Sequence, residues 1–187
     1  MLHETLKENT YICTMKLTLK IKLLPSDIQK EKLLSTIRAS NVVCDSISEI
    51  AWNNKIFNQF KLHHASYNTI RASCDLSSQM VIRCLSKVCD SYKLDKKTKR
   101  TFKPLGSIAY DSRILTYKNN SVSIWCIGGR EKMPFVCHNP NYLPYIKGEA
   151  DLIYIKGKFY LFQTCEVPEE DLHEADEFIG IDFNNIK

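Results

Sequence analysis

The feature that most constrains this chain is a lone period-two run, Met15-Lys16-Leu17-Thr18-Leu19-Lys20-Ile21-Lys22-Leu23, far ahead of any other strand-like segment. Apolar side chains take the odd positions and polar ones the even positions. Successive side chains of a β-strand point to opposite faces. The run therefore buries one face and presents Lys16, Lys20 and Lys22 on the other. A single strand needs a pairing partner, and nothing before Phe102 offers one. The chain must bring this strand back to strands that come much later, with whatever lies between inserted in the connection.

What lies between has helical spacing. Pro25-Ser26-Asp27-Ile28-Gln29 reads as a helix start, with Ser26 as cap and Gln29 three residues on, as in a capping box. Leu33, Leu34, Ile37, Val43, Cys44, Ile47, Ile50 and Ala51 follow on one stripe, with a break allowed near Ser40-Asn41. A shorter helix is predicted over His64 to Ala72, burying Tyr67 and Ile70. Ser77 caps another, whose stripe is Met80, Val81, Cys84, Leu85, Val88 and Tyr92, and which is expected to run into the segment Lys93 to Arg100.

After Phe102 the period switches to two. Ser107 to Tyr117, Ser121 to Ile127, Glu131 to Val136, Asp151 to Ile155 and Lys158 to Val167 read as strands. Asn119-Asn120, Gly128-Gly129 and Lys156-Gly157 carry turn chemistry. An acidic stretch, Pro168 to Glu177, precedes a last strand around Phe178 to Phe183. The expected class is α+β, an antiparallel β-barrel with an inserted helical bundle, followed by the first strand of a further domain. The divisions are residues 1–14 as a leader (Met1 and Met15 are both admissible starts), 15–24 as first barrel strand, 25–100 as helical insert, 101–167 as the remaining barrel strands, and 168–187 as linker plus new strand.

Lys and Arg number 26 against 21 Asp and Glu, a mild positive excess compatible with nucleic-acid binding and insufficient to establish it. Eight cysteines include no CxxC pair. Structural zinc is usually held by such close pairs, so no zinc is expected in this chain. Most of the cysteines sit in apolar runs, where a free thiol acts as a small hydrophobe. With no signal peptide and no apolar run long enough for a bilayer, a reducing, cytoplasmic compartment and no membrane partner are expected.

Three groups of residues can carry chemistry. Lys93, Lys96, Lys97, Lys99, Arg100 and Lys103, flanked by Tyr92 and Phe102, interleave cations with aromatics as a phosphate backbone and unstacked bases require. The same segment also reads as a solvated, lysine-rich helix end. Arg71 and Arg83 lie on predicted helices and suit either a phosphate or a structural ion pair. Ile179-Gly180-Ile181-Asp182 places a carboxylate near the end of a strand. Such an Asp can hold a divalent metal for phosphodiester hydrolysis, or simply close the strand. His63-His64 are adjacent, cannot share a helical face, and read as surface residues. Trp52 and Trp125 read as core.

Several segments, in order, resemble the TnpB (OrfB) family of insertion-sequence RNA-guided nucleases, relatives of type V CRISPR effectors. Leu24-Pro25-Ser26-Asp27-Ile28-Gln29-Lys30-Glu31-Lys32-Leu33 is similar to the family's opening. Tyr67-Asn68-Thr69-Ile70-Arg71 followed by Leu76-Ser77-Ser78-Gln79-Met80 is similar to its helical segment. Thr101-Phe102-Lys103-Pro104 with Ser107 to Arg113, then Gly129-Arg130 and Asp151 to Tyr160, resemble its later strands. Gly180-Ile181-Asp182 stands where the family has its first RuvC motif.

The resemblance implies a wedge-like barrel, a helical recognition insert and a RuvC/RNase H-like strand bearing Asp182 as first catalytic carboxylate and metal ligand. It implies guide RNA and target DNA as partners, with the sequence read by base pairing, and the function of a transposable-element endonuclease. Lys16, Lys20, Lys22, Arg71, Arg83, Lys93, Lys96, Lys97, Lys99, Arg100 and Lys103 are the expected nucleic-acid contacts. Mg2+ is expected only where further carboxylates complete the site. The chain departs from the family in following Gly-Ile-Asp with Phe183-Asn184-Asn185 instead of Leu-Gly. The other RuvC carboxylates and the CxxC finger have no counterpart here, and Glu169, Glu170 and Asp171 read as linker. The expectation is a chain that binds without cutting, a nuclease subunit completed in trans by a carboxy-terminal fragment, or a small non-catalytic helix-plus-barrel interaction protein.

Overall fold

The computed structural model describes residues 14–168. Thr14 belongs to the first strand. Residues 1–13 and 169–187, where the rest of the leader, the linker and the strand bearing Asp182 are expected, lie outside the described residues. So do Cys13 and the choice between Met1 and Met15.

The first strand, β1 (Thr14–Leu23), is followed by three helices, α1 (Asp27–Asn54), α2 (Gln59–Ala72) and α3 (Ser78–Leu94). Six strands come next: β2 (Ile108–Tyr110), β3 (Leu115–Lys118), β4 (Ser121–Cys126), β5 (Gly129–Cys137), β6 (Ile146–Ile155) and β7 (Lys158–Pro168), with a 3-10 turn at Pro140–Tyr145 before β6. The class is α+β. The seven strands form one antiparallel sheet in the order β2-β6-β7-β1-β5-β4-β3. Its two edges are consecutive in the chain and joined by a turn in which Ile114 and Leu115 donate to the Asp111 carbonyl at 3.0 and 2.9 Å. The Tyr110 hydroxyl on one edge donates to the Trp125 carbonyl near the other at 2.9 Å. The sheet is thereby curled into a nearly closed barrel, which leaves little free edge for foreign strands.

The orphan first strand finds its partners as its pattern demands. It pairs with β7 from Thr14↔Pro168 to Lys22↔Tyr160 and with β5 at Ile21↔Cys137 to Leu23↔Phe135. Leu19, Ile21 and Leu23 are buried in the barrel with Tyr110, Ile124, Leu152, Phe159 and Leu161. A one-residue slip would turn the lysines inward, so the buried face sets the register. Asn119 and Asn120 both adopt positive φ, 48° and 54°, as a two-residue hairpin loop requires, and asparagine tolerates this better than most residues.

The capping box at the start of α1 forms: Ser26 Oγ accepts from the Gln29 amide at 3.3 Å and Gln29 Oε1 from the Ser26 amide at 3.1 Å. Such a cap is worth about 1 kcal/mol. Gln29 also donates to the Lys132 carbonyl at 2.9 Å, and Lys32 pairs with Glu131, which ties the first turns of α1 to β5.

Four expectations are corrected. α1 has no break at Ser40-Asn41. Both residues are buried, and the Asn41 amide bonds the Ile37 carbonyl one turn back and the Gly106 carbonyl across the interface, each at 2.9 Å. α2 begins at Gln59, not His64, because Asn58 caps it by accepting from the Lys61 amide and Leu62 supplies a buried anchor; Tyr67 is only half-buried. α3 stops at Leu94, since Asp95 is extended and its carboxylate accepts from the Lys97 amide at 2.7 Å. The segment Ser107 to Tyr117 is two strands, broken where the Asp111 carboxylate accepts from the Arg113 amide at 3.0 Å.

A polar cluster joins the helices to the barrel. Lys87 Nζ donates to Asn41 Oδ1 at 2.8 Å and to the Ser107 carbonyl at 2.6 Å. A β-carbon on Gly106 would meet the Lys103 carbonyl at 3.1 Å and Asn41 Oδ1 at 3.3 Å, so a larger residue there would push a neighbour back by a few tenths of an ångström. No described helix is long and apolar enough to cross a membrane.

Candidate nucleic-acid interface

The outer face of the barrel is set by strand parity. Even-numbered residues of β1 point outward, and the register with β7 puts Lys22 opposite Tyr160, Lys20 opposite Phe162 and Lys16 opposite Glu166. Lys16 and Lys20 are exposed and Lys22 is half-buried. Lys20 Nζ lies over the Tyr160 ring at 4.6 Å and over Phe162 at 5.9 Å. Glu166 is held by Lys147 at 2.5 Å, which keeps its carboxyl below its ordinary range. Among the described residues no acid lies within ion-pair distance of Lys20 or Lys22.

The second basic region, Lys93 to Lys103, is arranged differently. Lys93 pairs with Asp90 one turn back at 2.7 Å, which raises the Lys93 ammonium above its ordinary value. Lys99 pairs with Glu49 of α1, whose carboxyl is lowered by that bond, and Arg100 pairs with Asp95 at 3.2 Å. Ser48 Oγ donates to the Arg100 carbonyl at 2.6 Å, and the Tyr92 hydroxyl accepts from the Arg100 amide at 3.2 Å. Asp45 accepts from the Phe102 amide at 2.8 Å. Tyr92 is fully buried against Phe57 at 4.6 Å, so its ring is closed to bases; Phe102 is half-buried under Lys87. Lys96, Lys97 and Lys103 are exposed and take part in no described ion pair.

The two helical arginines serve the fold locally. Arg71 donates to the Leu76 carbonyl and closes the α2–α3 connection, while Arg83 on α3 pairs with Glu149 on β6. His63 stacks on Tyr67 at 4.6 Å and His64 sits exposed beside Phe60. Trp52 and Trp125 are half-buried against the core, Trp52 with Lys55 over its ring at 3.7 Å.

Asp182, the expected catalytic and metal residue, lies outside the described residues. Among the described residues no group of three or more His, Cys, Asp or Glu is placed to hold a metal ion. The seven described cysteines are free thiols. Burial raises Cys89 to about 11 and Cys126 to about 12, so both stay protonated at neutral pH and pack as small hydrophobes.

Tyr160 and Phe162 lie in the near-continuous apolar run Phe159-Tyr160-Leu161-Phe162, which carries no signal of a site, and neither do Lys158 and Lys30 taken singly. The outward parity that Tyr160 and Phe162 share with Lys158 was visible; their pairing with Lys20 and Lys22 depends on register. No protein-family profile matches this chain, and no curated protein does.

Proposed function

We propose that this chain is the nucleic-acid-holding part of a TnpB-like RNA-guided DNA endonuclease, binding guide RNA and target DNA through its basic surfaces. The single observation that carries the reading is the outer face of β1, where Lys20 and Lys22 stand without acidic partners beside two half-buried aromatic rings. Unneutralised lysines attract phosphate and release its counterions, the main source of nucleic-acid affinity. A nearly closed barrel whose first strand is separated in sequence from the rest by three helices also agrees with what the resemblance implies, a wedge-like barrel with a recognition insert. Under this reading Lys96, Lys97 and Lys103 extend the contact, and Asp182 would be the first of several carboxylates holding Mg2+. The metal would polarise the scissile phosphate once the set is complete.

The test is an electrophoretic mobility shift of the full chain with structured and single-stranded RNA across a salt series. Binding at low salt that weakens steeply as salt rises is expected. Absence of a shift with any RNA at low salt sinks the reading and leaves a helix-plus-barrel interaction protein.

A further inference from the structure

The outer face of β1 and β7 is a strip of rows about 6.8 Å apart, two residues of strand at about 3.4 Å each. One row is Ile153, Tyr160, Lys22 and Val136; the next is Asp151, Phe162 and Lys20; the next is Thr164 and Thr18. At one end of the strip Lys22, Lys30 and Lys158 line a cleft of about 310 Å³ together with Leu23, Pro25 and Gly157. Asp27 holds Lys30 at 2.8 Å. Among the described residues Lys22 and Lys158 have no ion pair, so two of the three ammonium groups are uncompensated.

We propose that this strip binds an extended single strand of RNA: a base stacks on Tyr160 with Phe162 beside it, and the adjoining phosphate enters the Lys22–Lys30–Lys158 cleft. The inference rests on the nucleic-acid reading above and narrows it to a strand form and a place. The row spacing is of the order of the separation between successive phosphates on an extended strand. Lys20 now covers the Tyr160 ring, but an exposed cation–π contact is weak beside base stacking. A base displaces the ammonium, which is then free to meet a phosphate. Thr18 and Thr164 put hydroxyls on the same face, one row beyond Phe162 and two beyond Tyr160, where the ribose 2′-hydroxyl of a neighbouring nucleotide can bond them; that group is what separates RNA from DNA. Among the described residues Asp151 stands beside Phe162 on β6, Asp27 is paired with Lys30, and Glu166 is paired with Lys147. Leu24, Val136 and Ile155 are exposed around the same end, which a protein partner would also seek. The uncompensated lysines favour a polyanion over such a partner.

The test measures fluorescence anisotropy of the full chain with a short labelled RNA strand of mixed sequence, the same strand annealed to its complement, and the corresponding DNA strand. Tyr160→Ala is expected to weaken the single RNA strand about tenfold with little change for duplex, and Tyr160→Phe, which keeps the ring, to bind like the unaltered chain. Lys22→Gln with Lys158→Gln should lower the salt dependence of the logarithm of affinity by about 1.4, or about 0.7 per lysine. Circular dichroism and the urea midpoint establish that each variant is folded, and the exposed Lys158 substitution alone tests the cleft if Tyr160→Ala does not fold. Unchanged single-strand affinity and slope in folded variants overturn this site in favour of a protein contact while leaving RNA binding elsewhere intact. DNA bound as tightly as RNA overturns the choice of RNA. No binding to any strand at low salt removes this proposal and the nucleic-acid reading together.

Discussion

The helix-to-barrel connection and the outer face of β1 are both rich in lysine, yet they are opposite in kind. In the connection, Lys93, Lys99 and Arg100 are matched with Asp90, Glu49 and Asp95, and the aromatic Tyr92 is in the core. On the barrel face, Lys20 and Lys22 have no described acid within reach, and the aromatic rings beside them are partly open. The cause is geometric. On α3, residues three apart meet, so Asp90 neutralises Lys93 one turn on, and beyond the helix Lys99 and Arg100 fold onto Glu49 and Asp95. On a strand, alternate residues share a face, and what stands beside them is settled by the partner strand. A count of positive charges treats the two regions alike; the pairing of each charge separates them.

The comparison can be broken most sharply at the aromatics. Tyr92→Ala should cost about 3–5 kcal/mol of stability, because it removes a fully buried ring and the hydroxyl that holds Arg100. Tyr160→Ala, on the half-open face, should cost about 1 kcal/mol or less. Urea denaturation of both variants checks this, and comparable losses would erase the distinction between a core ring and a surface ring. Next in size is Asn41→Ala, expected to cost about 1–3 kcal/mol by leaving the Gly106 carbonyl unpaired and Lys87 short of an acceptor. A loss near zero in the same assay would mean that water replaces the amide and that the cluster does not fasten the connection to the barrel.

The charges sharpen the comparison further. Replacing Lys20 and Lys22 with Gln should flatten the salt dependence of RNA affinity by about 0.7 per lysine, while Lys93→Gln and Lys99→Gln should leave it nearly unchanged. Equal effects in the two pairs would show that intramolecular pairing does not withdraw a lysine from phosphate.

The smallest expected effect is acid sensitivity at the α1–β5 contact. Lys32 and Gln29 hold the Glu131 carboxyl below its ordinary 4.5 in the folded chain. A depressed folded value favours folding above the unfolded value, and that contribution disappears as pH falls through the folded value. Stability measured from pH 6 downward should therefore begin to drop below about pH 4.5. Glu131→Gln should remove part of that drop, by under about 1 kcal/mol for a pair with one partly exposed partner. An identical acid limb in the variant would place the sensitivity elsewhere.

Much of this architecture was legible because local rules and tertiary packing agree. The Ser26 box, the Ser77 cap, the α3 stripe and the turns at Asn119-Asn120 and Lys156-Gly157 each follow from neighbours within a few residues. The misreadings have two causes, contacts remote in sequence and side chains that fold back on their own backbone. The absence of a break at Ser40-Asn41 rests on buried polar contacts with Gly106 and Lys87, which are remote in sequence. The turn at Asp111 rests on a carboxylate folding back on its own backbone, and α3 ends where Asp95 does the same. Of the candidate interface, the lysines of β1 were legible from parity alone, while the placing of Tyr160 and Phe162 beside them depends on the register between β1 and β7.

By itself the sequence determined that an early strand must return to late ones, that helices fill the connection, and that Lys16, Lys20 and Lys22 share one outward face. Alternation and helical spacing are local properties that any fold of the chain must respect. The tertiary structure alone decided that β1 lies between β5 and β7, that Lys20 rests on Tyr160, and that Lys99 is matched with Glu49 of α1. Those outcomes depend on register and on which distant groups come within a few ångströms, and both are properties of the packed chain.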